Sequence, residues 1–200
     1  MESIILASGS PRRQDFFRLL GLPFTCIPSM ITETRKPGLS PAQVAEDLAR
    51  RKTGAVVEKT SDELQRGSGA KWVFGADTIV VLDGEIIGKA IDRDDATAML
   101  EKLSGRRHEV ITAMALYSAY TKRTDCRSVS CEVEFAPLTA AEIRWYLDTG
   151  EWVGAAGSYQ LQGAGGCFIK SVYGSPSNVV GLPLREFYAI LRDNGYPYGG

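Results

Sequence analysis

Apolar and polar positions alternate along this chain with periods that change every ten to twenty residues. The run Ile4-Ile5-Leu6-Ala7 makes residues 3–7 a short buried strand. Ser10-Pro11 then supplies an N-cap and a first-turn proline for a helix carrying Phe16, Phe17, Leu19 and Leu20, which Gly21 closes. A second helix starts at Ser40-Pro41 and sets Val44, Leu48 and Ala55 on one stripe. The polar stretch from Glu58 to Lys71, with Gly67-Ser68-Gly69 near its end, is the candidate mobile loop. From Trp72 to Gly88 the pattern is strand, Asp83-Gly84 turn and returning strand Glu85-Ile86-Ile87, the composition of a two-residue hairpin.

Helical spacing returns from Asp92 to Leu103, where Ala96, Met99, Leu100 and Leu103 share a side and Gly105 marks the end. A strand is expected over His108–Tyr117. Val129, Cys131, Val133 and Phe135 alternate through residues 127–136 as in a half-buried strand. Thr139 and Glu142 form a capping box for a helix with Ile143, Tyr146 and Leu147, ended by Gly150. A glycine-rich tract from Gly154 to Gly166 leads into a short strand, Cys167–Val172, and a last amphipathic helix with Leu184, Phe187, Tyr188 and Leu191. No internal repeat is visible. This interleaving predicts an α/β fold around a mixed sheet, with two lobes flanking a cleft, and not a regular βαβ array.

Composition narrows the function. With 44% apolar residues in 200, the chain can bury a substantial core. The 24 acidic and 23 basic side chains nearly cancel, so the net charge of -1 offers polyanions no overall attraction. A nucleic-acid-binding module is disfavoured, and an anionic ligand must be caught by a local cluster. Cys26, Cys126, Cys131 and Cys167 show no C-x-x-C spacing and His108 is the lone histidine, which argues against a structural zinc site. The absence of a basic leader and of an apolar run near the roughly 20 residues of a membrane span leads to the expectation of a cytosolic protein.

The most informative local pattern is Ser8-Gly9-Ser10-Pro11-Arg12-Arg13, between the first strand and the first helix. N–H groups and the dipole of a helix start favour an anion, and Arg12 and Arg13 offer bidentate contacts to phosphate oxygens. An ordinary capped helix with exposed arginines fits the pattern equally well. Asp77 and Thr78 interrupt two apolar runs, an expensive place for a charge; such an aspartate can ligate Mg²⁺, take a proton from water, or only satisfy local N–H groups. Lys52 and Lys89 can each reach a phosphate or remain solvated, and Glu33 is an equally weak signal for a metal ligand. Arg106, Arg107 and His108 either bind an anion or complement the preceding helix C-terminus, with the second reading favoured.

Taken together, Ile5 to Arg13, Gly75-Ala76-Asp77-Thr78, Leu103-Ser104-Gly105 with His108, and Gly174-Ser175 with Asn178-Val179-Val180-Gly181-Leu182-Pro183 resemble the Maf family of nucleoside triphosphate pyrophosphatases. The match runs from residue 4 to about 193 in conserved order, as one Maf-like domain over 1–200. The resemblance implies an elongated α/β mixed-sheet fold with a deep cleft, like the inosine triphosphate pyrophosphatases, together with homodimers and a divalent cation, Mg or Mn. It implies Asp77 as catalytic proton acceptor, with Glu33 and Asp77 toward the metal. Ser8, Arg12, Arg13, Lys52 and Lys89 fall toward the phosphates.

Within the family, Arg12, Thr78 and Gln162 match the branch acting on dTTP and UTP, and the tract Ser158-Tyr159-Gln160-Leu161-Gln162-Gly163 resembles its glutamine-glycine pattern. A 7-methyl-GTP pyrophosphatase and a nucleotide-binding cell-division regulator are the alternatives. Two departures stand out. Gly154-Ala155 replaces an Asp-Lys pair, and Ala90 replaces the proline after Gly88-Lys89.

Overall fold

In the computed structural model the described residues are 1–66 and 69–198, without the side chains of Glu63, Gln65 and Arg66. The first apolar run forms β1 (Ile4–Leu6), every residue of it buried. It is parallel to β2 (Phe24–Cys26) on one side and β3 (Trp72–Leu82) on the other. A strand with parallel neighbours is covered on both faces, so its sequence is continuously apolar.

Between these strands lie α1 (Pro11–Leu19), α2 (Pro41–Lys59) and α3 (Ser61–Arg66). The Asp83-Gly84 turn joins β3 to β4 (Glu85–Ile87) as an antiparallel hairpin, with both turn residues at positive φ. After α4 (Arg93–Leu103) come β5 (Arg107–Ser118), β6 (Arg123–Phe135) and α5 (Ala140–Asp148). A 3-10 turn (Ala164–Phe168), β7 (Ile169–Tyr173), α6 (Pro176–Val180) and α7 (Leu184–Asp193) complete the order. Among the described residues the sheet has seven strands in the order β2-β1-β3-β5-β6-β7, with β4 beside β3 and β7 antiparallel to β6. This is the expected mixed α/β sheet.

The chain forms two compact units, Met1–Asp77 with Thr112–Val129 and Gly181–Gly200, and Thr78–Ile111 with Ser130–Val180. In the first, Phe17, Phe74 and Phe187 are in mutual ring contact at 4.8 to 5.8 Å, within a core that includes Ile4, Leu6 and Met114. In the second, Val80, Leu100, Val133, Phe135, Tyr146 and Phe168 pack together. No helix of the described residues is long and apolar enough to cross a membrane.

Several expectations are corrected. Residues 58–59 complete α2 and 61–66 form α3, with only a turn at Thr60 between them, because Leu64 is buried with Ile5, Val56 and Val73 and gives this polar stretch an apolar anchor. Gly67-Ser68, in the middle of the expected loop, lies outside the described residues. Helix α1 turns Arg13 and Phe17 inward and leaves Leu19 exposed, since residues two apart diverge on a helix. Tyr188 is likewise exposed while Phe187, Ile190 and Leu191 are buried. The α2 stripe includes the expected Val44 and Leu48 and continues through Ala45, Ala49, Thr53 and Val56, while Ala55 is only half-buried. The last strand begins at Ile169 because Cys167 belongs to the 3-10 turn.

Candidate active site

A missing side chain sets the first relationship. A Cβ on Gly75 would lie 2.4 Å from Thr53 Oγ1 and 3.2 Å from the Ala49 carbonyl oxygen, so only glycine lets α2 rest directly on β3. Thr53 Oγ1 lies 3.0 Å from the Ala49 carbonyl and 3.2 Å from that of Ala115, and its hydroxyl donates there. This close approach carries Lys52, the preceding residue on α2, to Asp77, two residues beyond Gly75 on β3. The Lys52 ammonium donates to Asp77 Oδ1 at 2.5 Å and also contacts Glu33 Oε1 at 2.7 Å. The Lys52 and Asp77 side chains are 12% and 8% exposed, so this ion pair is largely desolvated.

Glu33 lies in a segment without regular structure, and α2 holds that segment in place. The Arg51 guanidinium donates to the carbonyl oxygens of Thr32 and Thr34 at 2.7 and 2.8 Å, bracketing Glu33. Asp47 and Lys36 extend the clamp, with Lys36 Nζ 2.5 Å from Asp47 Oδ1 and Arg51 3.4 Å from Asp47 Oδ2. The only signal for Arg51 in the sequence is the basic run Arg50-Arg51-Lys52 on one helix.

The Ser8 to Arg13 loop belongs to the same unit. Ser10 occupies the N-cap position of α1 with extended backbone, but its side chain makes no cap hydrogen bond, contrary to the expected role. Ser8 Oγ instead accepts from the Ser10 amide at 3.2 Å and from Arg13 at 3.2 Å. Arg13 is buried, and its Nε donates at 2.9 Å to the carbonyl of Gly181, in the Gly-Leu-Pro segment of the C-terminal part of the chain. Burial pushes the Arg13 pKa down to about 10, opposed by the negative charges of Asp77 and Glu33, while the positive charge of Arg12 lowers it further. The guanidinium therefore stays charged at neutral pH. The arginines are not simply exposed charges: Arg12 is half-buried, and Arg13 ties the loop to Gly181.

The structure thus gathers Ser8, Arg13, Lys52, Glu33 and Asp77, with Arg12 and Arg13 interacting electrostatically. Arg12, Arg13 and Lys52 bring to this unit cationic side chains of the kind that suits phosphates. Two carboxylates sharing one ammonium also form a pair of hard oxygen donors, which fits a divalent cation completing its shell from phosphate and water. Among the described residues, no group of three or more His, Cys, Asp and Glu side chains is arranged to hold a metal.

Thr78, Lys89 and Gln162 lie in the second unit. Thr78 follows Asp77 on β3 and points to the opposite side of the strand. Lys89 is exposed and forms an isolated antiparallel bridge with Ala156, beside a Gly157 amide that donates to the Gly88 carbonyl at 2.9 Å. This is where the chain departs from the family pattern. Gly154 takes a positive φ of 69° and is exposed, Ala155 is buried, and Ala90 packs against the core of this unit.

The basic run after α4 has partners within its own unit. Arg106 pairs with both oxygens of Asp83 at 2.6 and 2.7 Å. Arg107 contacts Glu134 at 3.0 Å and lies 4.3 Å from the Tyr173 ring centre. His108 is buried, with Nε2 2.8 Å from the Tyr159 hydroxyl, and burial pushes its pKa down to about 4. Uncharged at neutral pH, it adds nothing to anion binding.

The family model described as Maf-like protein matches residues 3–194. A protein from Pelotomaculum thermopropionicum named dTTP/UTP pyrophosphatase is 42% identical over 196 residues, covering 98% of either chain. An Escherichia coli O157:H7 protein of the same name is 44% identical over 193 residues, covering 96% of this chain and 93% of its own. Among solved structures, the Staphylococcus aureus Ham1 protein is similar with a TM-score of 0.46 and 16% identity, over 68% of this chain and 72% of that one. With a family model spanning nearly its whole length and relatives this similar end to end, the chain belongs to the Maf family.

Proposed function

We propose that this chain hydrolyses dTTP and UTP to the monophosphate and pyrophosphate. The observation that carries the reading is the convergence of Asp77 and Glu33 on Lys52, in the unit that also holds the Ser8–Arg13 loop. The names of the relatives at 42% and 44% identity support the same activity.

In this reading Arg12, Arg13, Ser8 and Lys52 hold the triphosphate. Asp77, fixed on one oxygen by Lys52, takes the proton of a water that attacks the α-phosphorus, and pyrophosphate leaves. Glu33 and Asp77 would hold a divalent cation, Mg or Mn, which supplies neutralisation of phosphate charge beyond what the three basic side chains provide. Thr78 and Lys89 are assigned to the nucleotide as well. Gln162 is assigned the base, since a carboxamide can accept from N3–H and donate to a carbonyl oxygen of uracil or thymine.

A second reading, a nucleotide-binding protein with little turnover, is favoured by one observation: Gly154-Ala155 supplies no charge where many members carry an Asp-Lys pair. A pyrophosphate-release screen over pyrimidine and purine nucleoside triphosphates, including 7-methyl-GTP, with Mg²⁺, Mn²⁺ or chelator, separates the two. Fastest release from dTTP and UTP, abolished by chelator, supports hydrolysis. Tight nucleotide binding with release at background supports the second reading.

A further inference from the structure

The tract that carries Gln162 is tied to Glu151 at two points. The Glu151 carboxylate accepts from the amides of Ala164 at 3.0 Å and Gly165 at 3.4 Å. A Cβ on Gly163 would lie 2.3 Å from the same carboxylate, so a larger residue there would displace the Glu151 side chain from this position. At the other end, the carbonyl oxygen of Glu151 accepts from Gln160 Nε2 at 2.5 Å, and Gln160 Oε1 in turn accepts from Gln162 Nε2 at 2.8 Å.

This chain of bonds has one workable polarity. A backbone carbonyl only accepts, so Gln160 must turn its amino group toward Glu151 and its carbonyl oxygen toward Gln162. Gln162 must then offer an amino hydrogen, because the flipped amide would set two carbonyl oxygens against each other. Its second N–H and its own carbonyl oxygen remain as a donor-acceptor face whose sense is fixed.

We propose that Gln160 is a positioning residue that locks the sense of the Gln162 amide and thereby selects uracil and thymine over cytosine. The inference rests on the assignment of Gln162 to the base. Uracil and thymine present a donor at N3–H beside an acceptor at O4, whereas cytosine presents an acceptor at N3 beside the donor N4 amino group. A freely flipping carboxamide matches either pattern, and a locked one matches only one of them.

The test compares kcat/KM for UTP and CTP in the wild type, Gln160→Met and Gln162→Met, with the thermal midpoint of each; Gln160→Ala replaces Gln160→Met if the longer side chain fails to fold. Loss of the lock lowers turnover of UTP and raises that of CTP, so their ratio falls about tenfold, the size of one hydrogen bond. A merely structural role would lower both together. A ratio lost in the Gln162 variant but kept in the Gln160 variant overturns the proposal and leaves the assignment of Gln162 standing. A ratio kept in the Gln162 variant removes that assignment and the proposal with it.

Discussion

The Lys52 ammonium lies 2.5 Å from Asp77 Oδ1 and 2.7 Å from Glu33 Oε1, joining a strand, a helix and an irregular segment through one cation. Removing that cation leaves a desolvated carboxylate on β3 without its closest counter-charge. Lys52→Met is expected to cost about 3 kcal/mol, measured by urea denaturation, and to abolish most turnover. The double variant Lys52→Met with Asp77→Asn should recover most of the stability and none of the activity. That split separates the structural role of the pair from its chemistry.

Gly75→Ala tests the contact that brings the pair together. The added Cβ must push Thr53 and the backbone of α2 away from β3, since the space is closed by Thr53 Oγ1 at 2.4 Å and the Ala49 carbonyl at 3.2 Å. A loss of about 2 kcal/mol is expected by denaturation, with a larger fractional fall in kcat/KM than the loss of folded protein explains. Activity retained in a destabilised variant would show that Lys52 need not be set so closely.

Arg51→Ala should act differently. Its bonds to the carbonyls of Thr32 and Thr34 are exposed, so stability is expected to change by less than about 1 kcal/mol. With Glu33 no longer bracketed, the concentration of Mg²⁺ or Mn²⁺ that gives half-maximal activity should rise roughly tenfold. A metal titration at saturating nucleotide measures it.

His108 gives the pH dependence of stability. Burial lowers its pKa from 6.5 to about 4, so the unfolded chain takes up the proton first as pH falls. The stabilisation is therefore complete above about pH 6.5 and is lost progressively down to about pH 4, amounting to about 3 kcal/mol. His108→Gln is expected to flatten this part of the stability profile, as read by urea denaturation across that range.

Local patterns carried much of the fold. The Asp83-Gly84 hairpin, the Thr139-Glu142 capping box and the buried β1 run each depend on neighbours in sequence, and the structure has all three. Residues 61–66 look like loop in the sequence because α3 is anchored by a single apolar side chain, Leu64, whose partners Ile5 and Val73 are distant in sequence. The Lys52–Asp77 ion pair was hidden for a related reason. Lys52 alone reads as a solvated surface charge, and its burial depends on the absence of a side chain at Gly75. Arg13 stands out in the sequence for its charge, while its bond to Gly181, contributed by a distant segment, has no local signature.

The most direct measurement is pyrophosphate release from dTTP and UTP by Asp77→Asn beside the wild type. The amide keeps the shape of the side chain, and Lys52 keeps Glu33 as a partner, so the variant should unfold at a midpoint close to wild type. Its kcat/KM is expected to fall by on the order of a thousandfold, the scale of a lost general base. Turnover near wild type in that folded variant would contradict the assignment of Asp77 as the group that takes the proton from water.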